Sequence, residues 1–490
     1  MNYKMVCFIT GRILMIEAAL MVLPFAVCLI YGDAAWSAFA ITILITLAVG
    51  AVLHLGKPKD TTMYAKEGFV IVALAWIALS VFGALPFWIS GAVPDYIDCF
   101  FETVSGFTTT GASILRDVEA MEKGLLFWRS FTHWVGGMGV LVFVMAILPM
   151  SDGHGMHLLR AEVPGPTVGK LVSKMSETAK ILYKIYLVMT VVEVIFLLCG
   201  GMSLYDSLIN SFGTAGTGGF SHKALSIGAY DNAYFEVVIG IFMLLFGINF
   251  NLYYFLLIGK VREVLRSEEL RAYLIIVFAA VAAITANILH MCTGFGQALR
   301  LAFFQVSSVI TTTGYATTDF NLWPSFSKCV LVLLMFIGGC AGSTSGGMKV
   351  ARIVLLAKTS AYDIGRMVHP NAISNIHFEG KAQSEKDIRS VLVFVAVYML
   401  VLAFSVLLLS LEKFDLVTTF TAVVTCINNI GPGLGAVGPM GSFADFSWFG
   451  KLLLSFDMLI GRLEIFPMLL FFSPAVWRSR SFSPRRRVGK

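Results

Sequence analysis

Charge is scarce in this sequence. Asp, Glu, Lys and Arg make up 13% of the 490 residues against 57% hydrophobic, and mean hydropathy reaches +0.81. A soluble domain covers its surface with about 25% charged residues; this chain has too few, which excludes a soluble globular fold and points to a polytopic membrane protein. Paired cysteines are missing as well. Cys7, Cys28, Cys99, Cys199, Cys292, Cys329, Cys340 and Cys426 stand singly, mostly in apolar runs, with no Cys-x-x-Cys. That excludes a disulfide framework and a cysteine-based metal centre, and reads them as small buried hydrophobes. No catalytic constellation stands out. Gly433 to Gly438 spells GxGxxG, but no strand precedes it and Pro439 follows, so it carries no dinucleotide site. The glycine-rich run 338–347 lacks the Gly-Lys-Ser/Thr ending of a phosphate loop. His154 and His157 have no cysteine or carboxylate cluster to complete a metal site. His133, beside Trp134 near a span end, reads as an interfacial residue.

What the chain does have is long apolar runs, at about 20 residues per bilayer crossing. Runs 8–30 and 36–55 are read as two retained helices, since Glu17 and the missing cleavage site argue against a signal peptide. Further spans are predicted near 68–90 and 126–149, 181–200 and 234–259, 271–292 and 328–358, and 388–411 and 448–472. Between the members of each pair lies a segment of about 15 residues (96–110, 204–217, 297–313 and 415–430), too short to cross and so obliged to leave by the face it entered. With both termini cytoplasmic, 27 of the 36 Lys and Arg fall inside and eight outside, with Arg462 within a span. This is a strong positive-inside bias. The expected fold is an all-α polytopic membrane protein of ten spans, with a two-helix domain (1–56), four repeats (57–150, 151–265, 266–380 and 381–477) and a basic tail (478–490). The tail arginines Arg478, Arg480 and Arg485 to Arg487 are read as topology or anionic-lipid contacts, not nucleic-acid binding.

The short segments end alike. Val104 to Ser113 reads VSGFTTTGAS, and its closest echo is SSVITTTGY at 307–315, with looser ones in GTAGTGGF at 213–220 and CINNIGPG at 426–433. With Gly111, Gly218, Gly314 and Gly431 taken as equivalent, the intervals are 107, 96 and 117 residues, a repeated module. Irregular backbone at membrane depth is tolerated only where protein buries it or water lines it. Four such segments around one axis can point carbonyl oxygens inward and replace the hydration shell of a monovalent cation. The pattern reads as a selectivity filter, four helix–loop–helix units folded into one chain.

These stretches, together with GGCAGSTSGGMK at 338–349, resemble the potassium-translocating subunits of the Trk/Ktr/HKT superfamily, specifically the TrkH type, over essentially the whole chain. The resemblance implies potassium uptake through potassium-channel-like repeats, with filter carbonyls from Thr109, Thr110 and Gly111; Gly216, Thr217 and Gly218; Thr312, Thr313 and Gly314; and Asn429, Ile430 and Gly431. Members with serine at the position of Gly111 tend to admit sodium, so glycine there implies a preference for potassium. The fourth stretch lacks a threonine before Gly431 and none has the full potassium-channel signature, which implies weaker discrimination. The resemblance also implies a homodimer in the bacterial inner membrane and a TrkA-type cytosolic ring of nucleotide-binding subunits. The longest cytoplasmic link here, roughly 359–387, has few apolar residues to form a domain of its own, so nucleotide regulation is expected from that partner. No organic cofactor is expected in this chain.

Beneath the filter a gate is expected. Five glycines among residues 338–347 interrupt the span 328–358. Arg462 follows Gly431 by 31 residues, at a similar depth to that loop, and an intramembrane arginine is functional by default. Gly338, Gly339, Gly342, Ser343, Thr344, Ser345, Gly346, Gly347 and Arg462 are the candidate gate, unless Arg462 simply pairs with Asp457 or Glu464. Asn249, at the same spacing after Gly218, lines the cavity or bonds a neighbouring helix. An alternative function remains open, a symporter coupled to protons or sodium through Glu193, Glu236, His290 or Asp457.

Overall fold

The structure, a computed structural model, describes residues 1–56, 65–139, 175–369 and 375–477. Part of the 126–149 run, the basic link after Gly56, His154, His157 and the arginine tail lie outside these. Two helices, Tyr3–Leu20 and Val22–Tyr31, form the first long apolar stretch, and Trp36–Leu55 returns against it. Gly11 and Gly50 face each other there: a Cβ on Gly11 would stand 2.6 Å from the Gly50 carbonyl oxygen, so small residues set this helix crossing.

The rest of the chain runs as four units, each an outer helix, a short pore helix and an inner helix. The outer helices are Ala65–Gly83 with Leu85–Ile89, Met175–Cys199, Glu268–Ile288 and Glu385–Leu409. Among the described residues, six apolar stretches are long and straight enough to cross a membrane: the first two of the chain and these four.

None of the four inner helices runs as a straight span, and only the third, with its glycine run at 338–347, was expected to be interrupted. Among the described residues the first, Lys123–Gly137, ends on two glycines, Gly136 and Gly137. The second breaks between Ala233–Phe246 and Phe250–Leu257 with a bend of 91°. The third stops at Ile337 and resumes at Val350. The fourth, Trp448–Arg462, is separated from Phe466–Phe472 by Leu463, Glu464 and Ile465, the last two in the left-handed region at φ 55° and 67°. A β-branched residue there is strained. Hydropathy reports apolar length and does not register these breaks.

The pore helices Tyr96–Phe107, Leu204–Gly216, Phe295–Ile310 and Leu416–Ile427 contain 12, 13, 16 and 12 residues. At 1.5 Å per residue none spans a bilayer core of about 30 Å. Asp95, Ser203 and Asp415 cap three of them by accepting from backbone N–H groups of the first turn. Their opposite ends, which carry the partial negative charge of the helix dipole, lead into the repeated stretches.

The cysteines divide. Cys28, Cys99, Cys340 and Cys426 are buried, whereas Cys7, Cys199 and Cys329 are exposed and Cys292 is half-buried; all are free. Burial within the protein therefore holds for four of the eight. The outer face of a membrane helix accepts a small apolar side chain as readily as the core does.

Candidate functional site

Each repeated stretch leaves its pore helix through the same two backbone hydrogen bonds. Thr109 N donates to Gly106 O and Thr110 N to Ser105 O; Thr217 and Gly218 do the same toward Thr214 and Gly213, Thr312 and Thr313 toward Val309 and Ser308, and Asn429 and Ile430 toward Cys426 and Thr425. The first residue of each pair is left-handed, with φ of 55°, 56°, 56° and 55° at Thr109, Thr217, Thr312 and Asn429, and the glycine two positions on is left-handed as well. That glycine is Gly111, Gly219, Gly314 or Gly431. The second stretch is thus shifted by one residue from the expected alignment. Gly219, not Gly218, is the counterpart of Gly111, and Gly216 is the last residue of its pore helix. Thr217-Gly218-Gly219 replaces Gly216-Thr217-Gly218 as the equivalent triplet. A Thr-Gly-Gly sequence permits either register, and the turn's hydrogen bonds select one.

The four turns close into a ring. A Cβ on Gly111 would stand 2.0 Å from Gly218 O, one on Gly219 2.0 Å from Thr313 O, one on Gly314 2.0 Å from Ile430 O, and one on Gly431 2.7 Å from Thr110 O. Each glycine thus meets the carbonyl of the next repeat, and the fourth meets the first. The four glycines line one cavity of about 440 Å³.

Behind the ring, buried side chains hold it. Asn429, where the other three stretches have threonine, sits in the left-handed conformation that asparagine tolerates best among non-glycine residues. Its Nδ2 donates to Thr110 Oγ1 and Met458 O, both at 2.9 Å, joining the fourth repeat to the first. Glu102 and Arg129 form a buried ion pair at 2.5 Å. The carboxylate also accepts from Ser113 Oγ and Ile114 N just past the first turn, and Arg129 donates to Ser221 O beside the second. His133 is fully buried, contrary to an interfacial position. Its Nδ1 lies 2.7 Å from Gly106 O, and its ring occupies the space a side chain on Gly218 would take, 2.4 Å from that Cβ position. The third stretch has Thr313 at this position and the second has histidine from another helix behind a glycine.

Glu102→Ala leaves Arg129 as a buried charge without its carboxylate, and breaking such a pair costs about 3–5 kcal/mol. We expect the thermal midpoint of the detergent-solubilised protein to drop accordingly and Glu102→Gln to fall between. A midpoint equal to the parent's would show that the pair does not brace the ring.

On the side of the ring away from the cavity, the segment between Ile337 and Val350 packs directly against the turns. Gly346 N donates to Thr312 Oγ1 at 2.6 Å, and a Cβ on Gly346 would stand 2.2 Å from Asn428 O. The loop is also tied to the broken inner helix of the second repeat: Cys340 N donates to Gly247 O, Phe250 N to Gly342 O and Thr344 Oγ1 to Phe246 O. Ser343, Thr344 and Ser345 are buried with it, while Gly338, Gly342 and Gly347 take left-handed turns. Gly339 packs against the Ser345 side chain. Asn249 caps the helix after the 91° bend and lies beside Gly342, whose Cβ position is 3.0 Å from its Oδ1.

Arg462 reaches this loop. Its guanidinium donates to Thr344 O at 2.8 Å and to Gly136 O and Gly137 O at 2.6 and 2.7 Å. One side chain of the fourth repeat thereby bonds the third repeat's loop and the end of the first repeat's inner helix. The two carboxylates expected as alternative partners are engaged elsewhere: Glu464 with Arg352 at 2.6 Å and Asp457 with Ser405 Oγ at 2.7 Å. Lys349 is a residue that sequence reasoning passed over. It is buried, left-handed at φ 75°, and its Nζ donates to Ser345 O within the loop. Its place at the end of the glycine run was the available signal. Of the other carboxylates and histidines considered, Glu236 pairs with Arg300 at 2.9 Å, His290 is exposed and Glu193 is fully buried.

Together these features define a polytopic all-α membrane protein in which four re-entrant turns form one ring of carbonyl oxygens above a buried, arginine-tethered loop. Comparison with known proteins agrees. The TrkH family model, described as a cation transport protein, matches residues 35–479, and the chain belongs to that family. It is 39% identical over 485 residues to the Trk system potassium uptake protein TrkH of Escherichia coli K12, covering 98% of this chain and 100% of the relative. It is 34% identical to that organism's TrkG, covering 98% and 99%. The crystal structure of the potassium transporter TrkH from Vibrio parahaemolyticus superposes with a TM-score of 0.88 at 34% identity, covering 98% of this chain and 100% of that one.

Proposed function

We propose that this chain carries potassium into the bacterial cell, down its electrochemical gradient, through the ring of turns. The carrying observation is the fourfold closure, in which Thr110, Gly218, Thr313 and Ile430 each present a carbonyl beside the preceding repeat's glycine. Backbone carbonyls at Thr109 to Gly111, Thr217 to Gly219, Thr312 to Gly314 and Asn429 to Gly431 then replace potassium's hydration shell without a fixed charge, and the negative ends of the pore helices favour a cation beside them. The relatives' names as potassium uptake proteins support the choice of ion. The loop from Gly338 to Gly347 with Arg462 is the closed gate, and Lys349 adds a second buried basic side chain to it.

In this reading the termini and the segments following the inner helices are cytoplasmic, and the cavity over the glycines opens outward. The domain limits follow the repeats, and a TrkA-type cytosolic nucleotide-binding ring works on a homodimer of this chain. The test is the reversal potential of the purified protein in proteoliposomes under separate potassium, sodium and proton gradients. A reversal following potassium alone is the expected result. A shift with a proton or sodium gradient at fixed potassium would replace it with the symport reading.

A further inference from the structure

The gate loop does not hang free on the cytoplasmic side. It continues into the helix Val350–Val368, followed by a two-stranded hairpin, His377–Phe378 paired with Lys381–Ala382. Ala341 of the loop, Ala351 and Leu355 of the helix, Phe378 of the hairpin and Val391 of the next outer helix form a small hydrophobic cluster separate from the main core. Loop, helix and hairpin are thus packed as one unit.

That unit is pinned to the start of the third outer helix at three points. Glu269, buried at the helix start, accepts from Ala341 N of the loop at 2.6 Å and from Ala351 N of the following helix at 3.1 Å through one carboxylate oxygen. Glu379, exposed at the hairpin turn and left-handed at φ 51°, accepts from Ser267 Oγ and Glu269 N, both at 2.9 Å. Lys358 bridges Glu268 and His377 O. A strained turn glutamate holds the backbone of the residue whose side chain holds the loop.

We infer that Glu269 is a positioning residue for the gate, and that through Glu379 it links the cytoplasmic hairpin to the loop, so that displacing the hairpin withdraws the loop from beneath the ring. This rests on the gate reading given above. Removing the Glu269 carboxylate leaves two buried N–H groups without their acceptor, while glutamine at 269 retains a carbonyl for both.

Cys340 reports the loop directly, because it is a native, fully buried thiol within it, and Cys426, fully buried in the fourth pore helix, reports general loosening. The experiment measures modification of both by a water-soluble maleimide, by peptide mass spectrometry, together with potassium flux of the full chain in proteoliposomes without any partner. We expect Glu269→Ala to raise Cys340 modification about fivefold or more, from the loss of a buried acceptor, and to raise flux, with Cys426 unchanged. Glu269→Gln should stay within about twofold of the parent, since it keeps the acceptor. Glu379→Ala, a surface change that leaves folding intact, should raise Cys340 modification to an intermediate level.

Equal increases at Cys340 and Cys426 overturn the inference, because they show loosening without positioning. Parental Cys340 modification in Glu379→Ala overturns the link to the hairpin. With Arg462→Ala as reference, a rise at Cys340 there but not in Glu269→Ala overturns the role of Glu269 and leaves the gate reading standing. If neither variant moves Cys340 or flux, the gate reading falls and the inference falls with it.

Discussion

Gly314→Ala is expected to cut the preference for potassium over sodium by about tenfold or more, since the coordinating oxygens set ion choice. Two independent obstacles meet at this position. The residue is left-handed at φ 84°, a conformation costly for any residue with a Cβ, and that Cβ would stand 2.0 Å from Ile430 O. Because the alanine cannot move without its chain, the carbonyl must move, and the carbonyl belongs to the ring. Gly219→Ala should behave like Gly314→Ala, its Cβ position being 2.0 Å from Thr313 O at φ 74°. Gly431→Ala, where the nearest carbonyl oxygen is 2.7 Å away, should be milder. Reversal potentials under mixed potassium and sodium gradients measure the effect, with thermal midpoint and gel-filtration profile as folding controls. Parental selectivity in well-folded Gly314→Ala protein would remove the ring from the ion path.

Arg462→Ala is expected to raise potassium flux in the absence of any partner by about tenfold or more, since an intramembrane arginine both repels a cation and ties down its acceptors. The substitution removes the hydrogen bonds to Thr344, Gly136 and Gly137 and with them the tether between the loop and the first repeat. Arg462→Lys separates charge from tether. An ammonium keeps the positive charge but lacks the planar fork that reaches several carbonyls at once, so its flux should lie between parent and alanine. Radiotracer rubidium entry into proteoliposomes reads both. Unchanged basal flux in folded Arg462→Ala protein would leave the arginine a packing role only.

Much of this was legible in the sequence. The outer helices and pore helices fall where apolar runs and short intervening segments predict them, because transfer of apolar length out of water is a local property that composition reports. The repeated Thr/Gly stretches were legible because left-handed turns and close backbone approach demand glycine and small polar residues wherever they occur. The loop at 338–347 was visible as a break in a span for the same reason. The register of the second stretch was not, since Gly218 and Gly219 stand side by side and only the bond from Gly218 N to Gly213 O chooses between them. The bend at residues 247–249 was missed because the two helices flanking it together carry enough apolar length for one continuous span, and the left-handed backbone of Glu464 and Ile465 leaves no mark in hydropathy.

Membrane residence, the all-α class, the fourfold repeat and the residue types of the ring and loop were therefore determined by the sequence alone. The tertiary structure decided which atoms meet. His133 lies behind Gly218, Asn429 reaches Thr110, Arg462 bonds a loop more than a hundred residues away, and Glu269 holds that same loop from another helix. Apolar length and turn propensity act over a few neighbouring residues and leave a local signature. A contact between repeats exists only once four units have closed around one axis, and that closure is a property of their packing that no single stretch carries.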